Sequence, residues 1–307
     1  MSIVELHQIA KSFGPVRAVE DVSFAVEKGE IFGLLGPNGA GKTTSIRILL
    51  DIFKPERGSV SILGGPMTEA KKERIGYMPE ERGLYQDIPL ERCLVYLASL
   101  KGVPPAEARQ RLDGYLERFD LAEYRQKKVK ELSKGMQQKA QIIATLLHQP
   151  ELLIVDEPFS GLDPVNTQMV LELLLELHSQ GVTILMSTHQ MHQVEELCER
   201  IVLINQGRVV LYGGLRDIQR QFAGHAVLVR TTQPLSEAEV RRLAPGVERV
   251  EAHNNASQWT LAPGTQPQDV LRALVAQDVT LEQFEIAQPT LDEIFIEVVK
   301  GEGAEPL

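Results

Sequence analysis

The 307-residue sequence predicts an α/β protein with a mostly parallel sheet, followed by a smaller α+β domain. Three observations lead there. Short apolar runs of strand length alternate with helical patterns over residues 1–220. One of these runs passes through a glycine-rich stretch directly into a helix. After Tyr212-Gly213-Gly214 the spacing changes to short strands with only brief helices between them, which sets the predicted division at 1–220 and 221–307.

Taken in order, Ile3, Val4, Leu6 and Ile9, then Val22, Phe24 and Val26, read as two half-exposed strands joined by the Gly14-Pro15 turn. A buried strand over 31–35 runs into the glycine-rich loop and a helix over 42–52. Residues 84–149 are rich in helix and read as a helical subdomain inserted into the sheet. Met136, Ala140, Ile143, Ala144 and Leu147 recur there with the helical period. Further strands are expected at 152–155, 182–186 and 201–204. Such runs, apolar throughout, belong to a sheet covered on both faces. In the second part, strands at 226–232, 247–252, 257–261 and 280–286 surround helices at 236–244 and 267–277, with a last helix over 290–300. The order βαββαβα suits a ferredoxin-like unit. Ser236 with Glu239 and Thr290 with Glu293 have capping-box spacing, and the tail 301–307 reads as frayed.

Composition narrows the function classes. Thirty-two basic against forty-two acidic residues give a net charge of −10, which argues against a protein that coats nucleic acid. Two cysteines, Cys93 and Cys198, have no CxxC spacing and read as buried thiols in a reducing compartment. No run reaches the roughly 18 apolar residues needed to span a bilayer, and the first residues lack a secretory pattern. The expectation is a soluble intracellular protein whose membrane role, if any, comes through a partner.

Gly36-Pro37-Asn38-Gly39-Ala40-Gly41-Lys42-Thr43-Thr44 fits G-x-x-x-x-G-K-[ST] between a strand and a helix. Glycines let successive backbone N–H groups converge on a phosphate, and the helix start adds the positive end of its dipole. Lys42 is expected on the β- and γ-phosphates of ATP, and the Thr43 hydroxyl on Mg²⁺. Over 152–157 an apolar strand ends in Asp156-Glu157. Neighbouring strand residues point opposite ways, so the two acids are expected to differ in role. Asp156 would hold Mg²⁺ through water, and Glu157 would polarise the water that attacks the γ-phosphate. Such a loop taken alone serves kinases, GTPases and motor ATPases alike.

The choice narrows at Leu132-Ser133-Lys134-Gly135-Met136-Gln137-Gln138, which resembles the LSGGQ-type signature of the ATP-binding-cassette (ABC) ATPases. In the same order stand Phe13, where that family stacks an aromatic on adenine, Ser160-Gly161-Leu162-Asp163 as the D-loop, and Ser187-Thr188-His189 with the switch histidine. The resemblance covers residues 1–220 and implies a P-loop ATPase fold of the ABC type. It implies a head-to-tail dimer, with itself or with a paralogous ABC ATPase, sandwiching two ATP. Ser133, Gly135 and Asp163 would then act on the nucleotide of the partner copy, and His189 would hold the attacking water and Glu157 in line.

Within Ile75-Gly76-Tyr77-Met78-Pro79-Glu80-Glu81-Arg82-Gly83-Leu84-Tyr85, the family usually has glutamine where this chain has Glu80. A carboxylate ligates Mg²⁺ but donates no hydrogen bond, so metal contact carries over and an amide-donor role does not. The wording of this run, and Pro289-Thr290-Leu291-Asp292-Glu293-Ile294-Phe295, resemble the branch of bacterial exporter ATPases that includes the sodium-efflux NatA type, which carries an appended C-terminal domain. The resemblance implies the ATP-hydrolysing subunit of an exporter, cytoplasmic and held at the inner face of the membrane by an integral-membrane permease. The permease would dock near 80–87 and the helical insertion. The other reading is a soluble ABC ATPase acting on ribosomes or nucleic acid. Ribosome-acting members usually fuse two such units and DNA-repair members insert a long coiled coil; neither pattern is present, and no nucleic acid is expected.

Overall fold

The computed structural model describes residues 1–300 apart from 82, 224–225, 254–255, 263 and 288. Arg82 and the tail 301–307 thus lie outside the described residues. The chain separates into two compact units, Met1–Leu215 and Arg216–Gly303.

In the first unit, β1 (Ser2–Phe13) and β2 (Val16–Glu27) form an antiparallel hairpin that closes at the Phe13–Val16 pair. All five residues of β3 (Ile31–Leu35) are buried, and the chain continues into α1 (Lys42–Leu49). That helix is shorter than the expected 42–52. Asp51 adopts φ 61°, and the Ile52 and Phe53 N–H groups both turn back to the Arg47 carbonyl, closing the helix before Lys54-Pro55. Next come β4 (Arg57–Ile62), the single-turn α2 (Glu69–Lys72) and β5 (Ile75–Met78). Three helices, α3 (Leu90–Ser99), α4 (Pro105–Arg118) and α5 (Lys134–Leu146), stand between β5 and β6 (Leu152–Asp156). The remaining elements are α6 (Pro164–Ser179), β7 (Thr183–Thr188), α7 (Met191–Leu197), β8 (Arg200–Asn205) and β9 (Arg208–Gly214).

These strands make one nine-stranded sheet in the order β4-β1-β2-β9-β8-β3-β7-β6-β5. From β8 to β5 every pairing is parallel, so the C-terminal ends of β3, β7 and β6 share one edge. The hairpin, β4 and β9 supply the antiparallel part. Val4, Ile9, Phe24, Phe32, Ile46, Ile154 and Val202 belong to one continuous buried cluster beneath the phosphate-loop helix. Burying such a side chain contributes about 1.5–3 kcal/mol, and this cluster fixes α1 against the sheet. Three strands escaped the sequence reading. β4 is a largely exposed edge rich in Arg, Gly and Ser, β5 has only four residues, and β9 is only partly buried.

Helix α8 (Leu215–Phe222) begins at the boundary of the units. The second unit orders β10 (Ala226–Thr231), α9 (Glu237–Leu243), β11 (Val247–His253), β12 (Ala256–Leu261), α10 (Pro267–Ala276), β13 (Leu281–Ile286) and α11 (Leu291–Lys300). Its sheet runs β11-β12-β10-β13 with every pairing antiparallel. Trp259 packs in its core with Val227, Val229 and Leu261, beneath Val240 of α9 and Val270 of α10. Cys93 and Cys198 are both buried and free. Among the described residues no helix is long and apolar enough to cross a membrane.

His148, just after α5, carries a pH prediction. Its Nε2 lies 3.1 Å from the Ile75 carbonyl, while burial, aided by the charge of Lys101, lowers its pKa from 6.5 to about 4. The folded protein therefore holds this ring neutral, and an unfolded chain takes up the proton first on acidification. Its contribution is complete above pH 6.5 and is lost as pH falls toward 4, at no more than about 1.4 kcal/mol per pH unit. Urea unfolding across that window is expected to show a steeper acid loss for the wild type than for His148→Gln.

Candidate nucleotide site

The site assembles where β3, β6 and β7 end. Gly36 leaves β3 with φ 147°, and a Cβ there would lie 2.1 Å from the Ile204 carbonyl oxygen. Gly41, at φ 110°, caps α1, and a Cβ would lie 2.4 Å from the Ala18 oxygen. The loop between them is thus pressed against β8 and β2 by contacts only glycine permits. Gly39, at φ 80°, faces open space. Lys42, 6% exposed, folds back so that Nζ donates to the Gly36 oxygen at 2.7 Å and the Pro37 oxygen at 3.3 Å. Burial lowers its pKa, opposed by the charges of Glu157, Asp156 and Glu80. Its ammonium stands 3.9 Å from Glu157 Oε1.

Parallel pairing sets Asp156 of β6 beside Ser187 of β7. The buried Asp156 carboxylate accepts from Thr43 Oγ1 at 2.9 Å and from Ser187 Oγ at 2.6 Å. Glu157 follows with φ 52°, its N–H donating to the Ser187 oxygen at 2.9 Å. This left-handed residue ends the extended backbone of β6, and its buried carboxylate meets a different pair of groups. Thr188 Oγ1 donates to Oε2 at 3.1 Å, and His189 Nδ1 donates to Oε1 at 2.8 Å. The His189 ring is half exposed, reaching from the buried acid toward solvent. Ser187 and Thr188 stand in the sequence reading only as the run before His189, and the structure gives each a hydrogen bond to one of the two acids. Their signal was present, two hydroxyls at the end of a strand immediately before His189.

The structure brings Lys42, Thr43, Asp156, Glu157 and His189 into one connected set. Glu80, exposed just beyond β5, faces the same charges without a hydrogen bond to Thr43 or Asp156 among the described residues. Phe13, 44% exposed, meets Phe53 edge-on at 5.2 Å, leaving ring surface open to solvent. Ser133 and Asp163 are helix N-caps. Ser133 Oγ accepts from the Met136 N–H at 3.2 Å, and Asp163 Oδ1 from the Asn166 N–H at 3.0 Å, which with further Asn166 bonding lowers the pKa of Asp163. Both are exposed, and within one chain no hydrogen bond or ion pair among the described residues joins them, or Gly135, to the phosphate loop.

The hydroxyl of Thr43 and the carboxylate of Asp156 form an all-oxygen pair of hard donors beside the loop, a donor set that suits Mg²⁺. Among the described residues no group of three or more His, Cys, Asp or Glu side chains could hold a metal without further ligands. Phosphate oxygens or water would have to complete such a site.

Residues 19–160 match the family described as ABC transporter, and residues 213–299 match the C-terminal domain of DrrA1-3-like ATP-binding proteins. The chain is 39% identical over 305 residues to the uncharacterized ABC transporter ATP-binding protein YhaQ of Bacillus subtilis, covering 97% of this chain and 98% of that protein. It is 35% identical to the Nod factor export ATP-binding protein I of Burkholderia thailandensis, covering 81% and 82%. A solved ATP-binding subunit of an ABC transporter superposes with a TM-score of 0.67 at 37% identity, covering 72% of this chain and 93% of that one.

The glycine contacts make a stability prediction. Gly41→Ala is expected to lower unfolding free energy by about 1–3 kcal/mol, because the methyl adds a collision to an unfavourable φ. Gly39→Ala, with open space around it, is expected to cost only about 1 kcal/mol. Urea titrations of the two variants measure the difference.

Proposed function

Because the chain belongs to the ATP-binding proteins of ABC transporters, a family that hydrolyses ATP to power transport, we propose that it energises an exporter. Two copies, or one copy and a paralogous ABC ATPase, close around two ATP and drive a separate integral-membrane permease. The chain then sits on the cytoplasmic face of the membrane through that partner. The relative named for Nod factor export supports the outward direction. The observation that carries the hydrolytic reading is the Glu157 carboxylate, buried yet held by Thr188 and His189 and standing 3.9 Å from Lys42.

On this reading the Lys42 ammonium, now satisfied by two loop carbonyls, transfers its hydrogen bonds to the β- and γ-phosphates when ATP enters. Backbone N–H groups of Gly39, Gly41, Lys42, Thr43 and Thr44, in the loop and at the start of α1, face the phosphates, with Gly36, Asn38 and Ala40, whose N–H donates to the Pro37 oxygen, shaping the loop. Thr43, Asp156 and Glu80 would hold Mg²⁺, which supplies neutralisation of the charge growing on the phosphate oxygens. Glu157 takes a proton from water as its oxygen bonds to the γ-phosphorus and the bond to the ADP oxygen breaks. His189 holds Glu157 and that water in line. Phe13 stacks on adenine. Ser133 and Gly135, at the start of α5, meet the γ-phosphate bound by the other copy, and Asp163 links the two sites. Losing that phosphate removes the charge that joins the copies, so they part.

A groove of about 320 Å³, lined by Tyr77, Leu84, Leu97, Leu100, Gln141 and His148, opens beside the segment that carries Glu80. Its apolar walls and position support permease docking there.

Glu157→Gln keeps shape and removes basicity. Phosphate release is expected to fall by about 10²–10⁴-fold while ATP binding persists and sedimentation shows a trapped dimer. Wild-type turnover in this variant would sink the base assignment. Lys42→Ala is expected to weaken ATP binding by about 10–100-fold in titration calorimetry, the scale of a lost charge-assisted contact.

A further inference from the structure

Among the described residues between β5 and α3, Pro79, Glu80 and Glu81 belong to no helix or strand, so their carbonyls depend on other donors. Pro79 and Glu81, the two neighbours of Glu80, find theirs on one side chain. Gln141 is 4% exposed, and its Nε2 donates to the Pro79 oxygen at 2.7 Å and the Glu81 oxygen at 3.3 Å. A carboxamide nitrogen carries two hydrogens, one for each carbonyl. Both acceptors being carbonyls, the amide orientation is fixed, and Oε1 is left buried without a partner.

Gln141 lies on α5, about two turns or ~12 Å along its axis from the Ser133 cap. The same rigid helix therefore has the signature at its start and the clamp on the Glu80 segment midway. We infer that Gln141 is a positioning residue, holding Glu80 toward the phosphate loop and tying that orientation to α5. This rests on the proposed reading that Glu80 contributes to the metal site. The clamp supplies from α5 an amide donor, which the carboxylate at position 80 lacks.

A double-mutant cycle on the full chain tests this, read as Mn²⁺ affinity by the free-Mn²⁺ electron paramagnetic resonance signal with a non-hydrolysable ATP analogue bound. Gln141→Met, close in volume, is expected to weaken Mn²⁺ binding about three- to tenfold, as is Glu80→Gln. The double variant is expected to be no weaker than Glu80→Gln alone. Thr145→Val, which removes the hydroxyl that donates to the Gln141 main-chain oxygen and leaves the Gln141 side chain in place, is expected to leave Mn²⁺ affinity unchanged. Should Gln141→Met not fold, Gln141→Asn keeps the amide, falls short of both carbonyls and serves the same cycle. Unchanged Mn²⁺ affinity in the Gln141 variant, or losses that simply add in the double variant, would overturn the inference while leaving Glu80 on the metal. An unaltered affinity in Glu80→Gln, with the analogue still bound, would instead remove Glu80 from the metal site and the inference with it.

Discussion

Everything in the nucleotide site depends on the parallel registration of β3, β7 and β6. That pairing sets Asp156 beside Ser187 and ends β3 at the same edge, where α1 returns Thr43 to within 2.9 Å of the same carboxylate. Asp156 is thus held from two sides by hydroxyls on different elements. A slip of one residue in β6 would turn the carboxylate to the opposite face and exchange it with an apolar neighbour. The apolar runs that form these strands therefore do more than fill a core. Their alignment is what brings a loop, an acid and a histidine from distant parts of the chain to one place.

Electrostatics explains why this cluster is arranged as it is. A buried ammonium without a partner is costly, and Lys42 avoids that state by donating to two carbonyls near two buried acids. Desolvation nonetheless dominates its pKa, pulling it down. A triphosphate offers such a group stronger partners than neutral carbonyls do. The arrangement thus stores a modest electrostatic deficit that a polyanion relieves, on a chain whose net charge of −10 gives no hint of it.

The legible and illegible parts of the sequence divide along the same physical line. Strands buried on both faces, such as 31–35 and 152–155, announce themselves as unbroken apolar runs, and the strand and helix positions of the second unit follow from alternation and capping residues. The phosphate loop and the acid pair were readable because their chemistry restricts residue types at fixed spacing. Edge and short strands were not, since β4 and β5 owe their form to neighbours contributed from elsewhere in the chain. The contacts of Ser187, Thr188 and Gln141 were not legible for a related reason. Each is an ordinary polar residue whose role comes from what a distant segment sets against it, Asp156, Glu157 and the carbonyls around Glu80 respectively.

The backbone at Glu157 has a thermodynamic consequence. A non-glycine residue at φ 52° is held in a sparsely populated conformation, at a cost of order 1 kcal/mol that glycine would not incur. That cost is set against the hydrogen bonds its carboxylate accepts from Thr188 and His189 and its closeness to Lys42. A glycine there would relieve the dihedral but leave the buried Thr188 hydroxyl and Lys42 ammonium short of an acceptor, so the left-handed turn and the acid it carries are kept or lost together.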